Sequence, residues 1–227
     1  MSQVKSTKVD FEVAGKTVSG YLAAPQDGGP GVIVLHAWWG LNTFFKELCK
    51  RLAEQGFTAF APDLNRGKIA ETIEAAQEIM NGRDVELTRA IVASSVGTLL
   101  QQPGVQNGKL GVIGFSMGAS WALALASMAP DEIAALVLFY GVEGVDFTQV
   151  RAACQGHYAE DDQWDPAEWA RQMEADMRAA GVNTSFYFYP GTGHWFFEED
   201  RLEAYNAAAA QLAWERTIAF LSEQIGD

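Results

Sequence analysis

The stretch GVIGFSMGAS, Gly111–Ser120, sets one serine between two glycines directly after an apolar run. GFSMG fits the G-x-S-x-G nucleophile elbow, a sharp turn from a strand into a helix. Side chains at Gly114 and Gly118 would collide in such a turn, while Ser116 would present its hydroxyl. The helix that begins at Met117 would point free N–H groups and its positive dipole end at that hydroxyl. The stretch predicts a serine nucleophile with the Met117 backbone N–H as an oxyanion donor; a glycine-rich turn needed only for packing is the alternative.

Strand and helix signals alternate around this elbow. Apolar runs typical of strands buried on both faces are GVIVLH, FTAFAPD, KLGVIGF, IAALVLFYG, VRAACQGHY and TSFYFYP. Stretches with helical apolar spacing lie between them. The alternation predicts an α/β fold, with a mostly parallel central sheet flanked by helices on both faces. The carboxyl ends of the strands then share one edge, where such sheets bind ligands.

The outer parts of the chain complete this pattern. VDFEVAGKTVSGYLAAP predicts an N-terminal β-hairpin that turns at Ala14-Gly15. Helices are predicted over 166–180 and 202–224, and a short one over 69–80 within the stretch Asn65–Arg83, which is either a lid or a loop. No linker rich in proline and glycine divides the chain. We therefore expect a single domain over residues 1–227.

Composition limits the classes of partner. The chain has 227 residues and a formal net charge of −13, so nucleic acid and anionic membrane surfaces are disfavoured. No apolar run approaches the ~20 residues of a spanning helix, and MSQVKSTKVDFEV lacks the apolar region of a signal peptide. We expect a soluble cytoplasmic protein, a monomer or homodimer, that acts on a small molecule.

Cysteine and histidine show no metal-binding pattern. Two cysteines, Cys49 and Cys154, form no disulfide framework in a chain of this length and are expected to be core residues. His36, His157 and His194 are scattered, and neither CxxC nor HExxH occurs. The sequence therefore predicts no metal site.

A serine nucleophile needs a base, and on this fold the order is serine, acid, histidine. His194 lies in YPGTGHWFF, a glycine-rich loop after a predicted strand, and is the predicted base. His157 leaves no place for an acid before it at a strand end. His36 precedes Ser116 and is expected to be structural or to line a pocket wall.

The acid is expected in AEDDQWDPAEW, which follows another predicted strand. Asp165 has a separate explanation, because D-P-A-E is typical of a helix start with Asp165 as N-cap and Pro166 in the first position. Spacing does not choose among the remaining acids, Glu160, Asp161 and Asp162.

The loop AWWGLN after GVIVLH is expected to supply the second oxyanion donor, the backbone N–H of Trp38. Aromatic residues gather at the same edge and suggest an apolar substrate pocket. Its predicted members are Trp39, Trp164, Trp195 and Phe196. The alternative is core packing, which we expect for at least half of these aromatics.

Six segments, in this order, resemble the dienelactone hydrolase family of α/β-hydrolases over nearly the whole chain. They are PGVIVLHAWWGLN, FTAFAPDL, NGKLGVIGFSMGAS, HYAEDDQWDP, YPGTGHWFF and AWERTIAFL. The resemblance implies an α/β-hydrolase with a nucleophile–acid–histidine triad and no cofactor. It selects Asp162 as the acid, matches His194 to the family's histidine, and puts the second oxyanion N–H at Trp38.

The chain departs from the founding enzymes of that family at three places. They carry cysteine at the elbow instead of Ser116, and glutamate at the position of Ala37. With a serine nucleophile the histidine can act as base, so that glutamate is dispensable. They also hold a substrate carboxylate with an arginine near the histidine, where GHWFFEED offers phenylalanine and glutamate. These changes point to an uncharged ester or lactone.

The sequence thus predicts a serine hydrolase, an esterase or lactonase that works through an acyl-enzyme. Ser116 attacks the carbonyl, His194 transfers the proton, and Asp162 orients His194. Two alternatives stay open. One is a catalytically silent α/β-hydrolase-fold protein that binds a ligand, and the other is an acyltransferase or peptidase on the same triad.

Overall fold

The computed structural model describes residues 3–105 and 108–226. Within these residues eight strands form a mostly parallel sheet and alternate with six α-helices, which confirms the predicted α/β fold class. The chain falls into two units, one running to Leu110 and the other from Gly111 to Gly226. The single domain expected over residues 1–227 stays a prediction. No helix of the described residues is long and apolar enough to cross a membrane.

The first unit holds four strands in the order β1-β2-β4-β3. Strands β1 (Val4–Val13) and β2 (Lys16–Pro25) form the predicted hairpin. Its turn residues, Ala14 and Gly15, have φ of 52° and 73°, as the two-residue turns that match the twist of a hairpin require. Strand β2 pairs antiparallel with β4 (Thr58–Pro62), which pairs parallel with the fully buried β3 (Gly31–Leu35).

Three helices belong to this unit, and each begins after a polar cap. They are α1 (Thr43–Glu54), α2 (Ile73–Asn81) and α3 (Val85–Leu100). The caps are Asn42, Thr72 and Asp84, whose side chains accept a backbone N–H three residues on. The short helix predicted over 69–80 starts later, at Ile73, because Thr72 caps it there.

The second unit continues the alternation with strands in the order β5-β6-β7-β8. Its elements are β5 (Leu110–Phe115), α4 (Met117–Met128), β6 (Ile133–Phe139), β7 (Ala153–Ala159), α5 (Ala167–Ala179), β8 (Thr184–Tyr189) and α6 (Ala207–Ile225). Strands β6, β7 and β8 are parallel neighbours. Their carboxyl ends therefore lie at one edge, and the loops that follow them can meet there.

Two helix starts in this unit differ from the prediction. Asp165 does not cap α5: the helix begins at Ala167 after Pro166, with no side-chain cap bond. The backbone N–H of Asp165 instead donates to Asp162 Oδ1 (3.0 Å), which fixes Asp165 in the preceding turn. Helix α6 begins at Ala207 rather than at residue 202, because Asn206 supplies its cap.

Cys49 and Cys154 are free and fully buried. Burial raises the pKa of both thiols. Each lies on a core element, α1 or β7, as the sequence predicts. These thiols are therefore packing residues.

Candidate active site

Ser116 lies at the turn between β5 and α4 with φ 50° and ψ −117°. Such a backbone costs a non-glycine residue about 1–3 kcal/mol. Two hydrogen bonds hold it: its N–H donates to the Phe139 carbonyl (2.9 Å), and its carbonyl accepts from the Ala119 N–H (2.8 Å). A Cβ at Gly114 would lie 2.3 Å from the Gly118 carbonyl oxygen. The strand–turn–helix context expected of a nucleophile elbow is therefore present.

A further glycine at this turn, Gly141, was not predicted from the sequence. A Cβ on Gly141 would lie 2.5 Å from the Ser116 carbonyl oxygen and 2.7 Å from Ala119 Cβ. The end of β6 therefore packs directly against the elbow. The only signal in the sequence is a glycine at the end of the strand IAALVLFYG.

Two consecutive hydrogen-bonding contacts link three side chains, from Ser116 to His194 and from His194 to Asp162. His194 Nε2 is 2.9 Å from Ser116 Oγ, and His194 Nδ1 is 2.7 Å from Asp162 Oδ2. A carboxylate beside Nδ1 favours the tautomer with its proton on that nitrogen. Nε2 is then an acceptor, and the Ser116 hydroxyl donates to it. His194 and Asp162 are buried, whereas Ser116 is half-buried.

Asp162 is fixed on its other side by backbone donors. Its Oδ1 accepts the N–H groups of Trp164 (2.8 Å) and Asp165 (3.0 Å). The other two of the three acids that spacing left open do not take this place: Glu160 pairs with Arg171, and the Asp161 side chain is exposed. Asp162 is the acid of this stretch that reaches His194.

The loop after β8 carries His194 on a firmly held backbone. The Thr192 hydroxyl donates to the Tyr189 carbonyl (2.7 Å), and the Thr192 carbonyl accepts from the Asp161 N–H (3.0 Å). The next residue, Trp195, has φ 64°. Its carbonyl accepts from the Glu198 N–H (2.9 Å). The histidine and acid loops are thus joined to each other.

The other two histidines lie outside this linked set of side chains. His157 is buried among Tyr189, Gln155 and Thr217, all at hydrogen-bonding distance, and burial lowers its pKa to about 3. His36 donates through Nδ1 to the Ala37 carbonyl (2.6 Å) and accepts the Leu64 N–H at Nε2 (3.0 Å). Burial lowers its pKa to about 4. Both rings are neutral structural residues, and His36 joins β3 to the loop after β4.

The predicted pocket aromatics fall into two groups. Trp164 is exposed and Trp195 half-buried, and their ring centroids lie 6.4 Å and 5.0 Å from that of His194. Phe196 is fully buried against Tyr189, with ring centroids 4.9 Å apart. Trp39, in the first unit, is also buried. Trp164 and Trp195 have surface to offer a ligand near His194, whereas burial favours the packing alternative for Phe196 and Trp39.

Trp38 belongs to the first unit, in a turn where the Gly40 N–H donates to the Ala37 carbonyl (3.2 Å). The Trp38 carbonyl accepts from Asn65 Nδ2 (3.0 Å). Asn65 Oδ1 in turn accepts from Arg83 Nη2 (2.7 Å). This chain of bonds ties the turn to both ends of the stretch predicted as a lid or loop. The role of the Trp38 N–H as an oxyanion donor stays a prediction.

Two carboxyl groups of unusual pKa lie near His194, and both were missed as site residues. Burial raises the pKa of Asp165 to about 6, with the charges of Asp162 and Glu143 adding to the rise and His194 opposing it. Burial raises the pKa of Glu198 to about 8. Among the described residues no group of three metal-ligating side chains is close enough to hold a metal ion.

Comparison with known proteins identifies the family of the chain. The model of the dienelactone hydrolase family matches residues 18–225. "Protein usf" of Aquifex pyrophilus is 35% identical, covering 96% of this chain and 98% of its own. A Bradyrhizobium protein named "Probable 2-oxo-3-(5-oxofuran-2-ylidene)propanoate lactonase" is 32% identical, covering 94% of this chain and 92% of its own. The solved structure of a dienelactone hydrolase-like promiscuous phosphotriesterase from metagenomic libraries has a TM-score of 0.88 at 24% identity, covering 98% of this chain and 99% of that one.

Proposed function

Because the chain belongs to the dienelactone hydrolase family, we propose that it hydrolyses small uncharged carboxylic esters or lactones with Ser116 as nucleophile. The observation that carries the proposal is the line of hydrogen bonds from Ser116 Oγ through His194 to Asp162, at 2.9 Å and 2.7 Å. A hydroxyl, a base in contact with it and an acid that orients the base are the parts that acyl transfer needs.

The first half of the reaction forms the acyl-enzyme. Ser116 Oγ attacks the carbonyl carbon while its proton passes to His194 Nε2. The tetrahedral intermediate then collapses, and the leaving alkoxide takes that proton. From a lactone the freed hydroxyl stays on the acyl chain. Asp162 holds the ring and stabilises the imidazolium that exists between the two transfers.

The second half of the reaction regenerates the free enzyme, and the proton again moves through His194. His194 Nε2 takes a proton from a water molecule, whose oxygen attacks the acyl carbonyl. Collapse returns the proton to Ser116 Oγ and releases the carboxylic acid. In both halves the negative oxygen is proposed to accept from the backbone N–H groups of Met117 and Trp38. The loss of one such donor typically costs about 3 kcal/mol of transition-state stabilisation.

The charge around the histidine supports an uncharged substrate. Asp165 interacts electrostatically with His194 and with two further carboxyl groups, those of Asp162 and Glu143. Since the pKa of Asp165 is about 6, its carboxyl is mostly ionised at pH 7 and repels an anionic acyl or alcohol group. The lactonase named among the relatives is in keeping with a lactone ring, but the propanoate in its name carries a carboxylate, whereas we propose a neutral lactone for this chain.

Ester turnover by matched serine variants tests the proposal. Ser116→Ala should lower the kcat for p-nitrophenyl acetate by about ten-thousandfold or more, as in other triads. Ser120→Ala, one turn along the same helix, is the control and should keep wild-type turnover. Equal turnover in the two variants would refute the assignment of Ser116. A folded wild type with no turnover of any ester or lactone would favour the ligand-binding alternative.

A further inference from the structure

Next to His194 lies a buried pair of polar side chains, Tyr140 and Glu198. The Tyr140 hydroxyl donates to Glu198 Oε1 (2.7 Å). Neither residue has more than a trace of exposed surface. The Tyr140 ring centroid lies 5.0 Å from that of His194. Tyr140 thus contacts the imidazole on one side and binds the carboxyl of Glu198 on the other.

This hydrogen bond joins the end of β6, which binds the backbone of the nucleophile, to the loop that carries the base. Tyr140 directly follows Phe139, whose carbonyl accepts the Ser116 N–H. Glu198 donates its own N–H to the carbonyl of Trp195, the residue after His194. Tyr140 has φ 36°, and its N–H is held by the His157 carbonyl (2.9 Å). The backbone of Tyr140 is therefore held in place, and this limits where its ring can lie.

Packing alone does not explain a carboxyl in this place. Glu198 Oε2 is buried and has no hydrogen-bond partner among the described residues, which is a cost that an apolar side chain would avoid. The neighbouring residues Phe196 and Phe197 are buried apolar side chains. An apolar residue at 198 would continue that packing, so the retained acid calls for another role.

We propose that Tyr140 and Glu198 are positioning residues for His194, holding its ring between Ser116 and Asp162 through a hydrogen bond that tightens when Glu198 ionises. This inference rests on the proposed function. Tyr140 orients the imidazole by contact, and Glu198 acts through Tyr140. A charged acceptor forms a stronger hydrogen bond than a neutral one, so Tyr140 is held more firmly by the carboxylate than by the carboxylic acid.

Glu198 ionises within the range of pH over which kcat can be measured. Burial raises its pKa to about 8, the Tyr140 hydrogen bond and Arg201 oppose the rise, and Asp200 adds to it. Tyr140 also faces the charges of Asp200 and Asp162, and its own pKa is raised well above the ordinary value, chiefly by burial. Tyr140 therefore stays protonated as the donor while Glu198 titrates.

The pH dependence of kcat in four proteins tests this role. Wild-type kcat for a neutral ester should rise as the pH passes through about 8, where Glu198 ionises. Glu198→Gln should lack this rise. Glu199→Gln, a neutralised exposed neighbour, is the control and should keep the rise. At pH 7 Tyr140→Phe should lower kcat about tenfold with KM unchanged, the effect of one lost hydrogen bond, whereas Glu198→Gln, which keeps an acceptor, should stay within about threefold of wild type.

The outcomes separate this inference from the proposed function. If wild type hydrolyses the ester and Glu198→Gln has the same pH profile, the positioning role is wrong and the serine mechanism stands. Should Tyr140→Phe fail to fold, Glu198→Gln still decides, since it preserves the shape of the side chain. A wild type that hydrolyses no ester overturns both, because the pair then has no reaction to serve.

Discussion

His194 Nδ1 lies 2.7 Å from Asp162 Oδ2, although 32 positions separate the two residues in the chain. Two parallel strands, β7 and β8, end at the same edge and bring them together. The backbone donors on Asp162 Oδ1 fix the carboxylate, and the carboxylate fixes the ring. The orientation of the base therefore depends on the loop that follows β7.

Asp162→Asn should lower kcat for a neutral ester by about ten-thousandfold, because an amide can stabilise the wrong tautomer and cannot support the imidazolium. Asp161→Asn changes an exposed neighbouring carboxyl and should leave kcat unchanged. Steady-state kinetics with both variants, with folding checked by circular dichroism, measures the difference. Similar kcat values in the two variants would show that Asp162 does not orient the base.

Gly114→Ala should destabilise the protein by about 1–3 kcal/mol, the usual effect of overpacking. The new Cβ would lie 2.3 Å from the backbone carbonyl oxygen of Gly118, so the backbone would have to shift. Gly97→Ala is the matched control, since its Cβ would meet nothing within 4 Å and alanine favours a helix interior. Urea unfolding of both variants compares their free energies of unfolding, and equal values would contradict the packing described at the elbow.

Glu198→Gln should gain stability relative to wild type as the pH rises. The pKa of Glu198 rises from 4.5 to about 8 on folding, so between these values the folded protein binds more protons than the unfolded chain. The free energy of unfolding of the wild type therefore falls as the pH rises through that window. Glutamine does not ionise, so the variant does not show this fall. Thermal unfolding at pH 5, 7 and 9 checks this; a difference in Tm that does not change with pH would count against a buried acid here.

Asp165→Asn should raise kcat/KM for an anionic ester while leaving that for a neutral ester nearly unchanged. The pKa of Asp165 is raised to about 6, chiefly by burial, so its charge is present at pH 7 and mostly lost at pH 5. The preference of wild type for p-nitrophenyl acetate over p-nitrophenyl hemisuccinate should therefore shrink at pH 5. If the preference for the neutral ester is the same at both pH values, or the same in the variant as in wild type, Asp165 does not select substrates by charge.

Local patterns were enough to predict the strands and the elbow. Apolar runs bounded by turn residues depend on near neighbours, and the geometry of G-x-S-x-G lies within five residues. Local patterns were not enough to identify the acid of the triad. Residues 160–162 share one turn, and only the folded turn decides which of their side chains faces His194. Asp165 was misassigned as a cap because the helix begins one residue later than predicted, at Ala167 after Pro166, and spacing does not fix that first residue.

Side chains that meet across long separations with no motif to mark them escaped prediction. Tyr140 and Glu198 are 58 positions apart, and in the sequence each belongs to an ordinary run, FYG and FFEED. An acid in FFEED would be expected at the surface. Burial in the folded protein raises the pKa of Glu198, and the approach of β6 to the elbow gives Gly141 its contact there. No single segment of the sequence encodes either effect.

The central claim, an activated Ser116, is tested most directly by intact-mass spectrometry after incubation with a fluorophosphonate, comparing wild type with Ser116→Ala and Ser120→Ala. The account predicts one adduct on wild type and Ser120→Ala, and none on Ser116→Ala. An adduct that persists in Ser116→Ala, or no adduct on folded wild type, would contradict it.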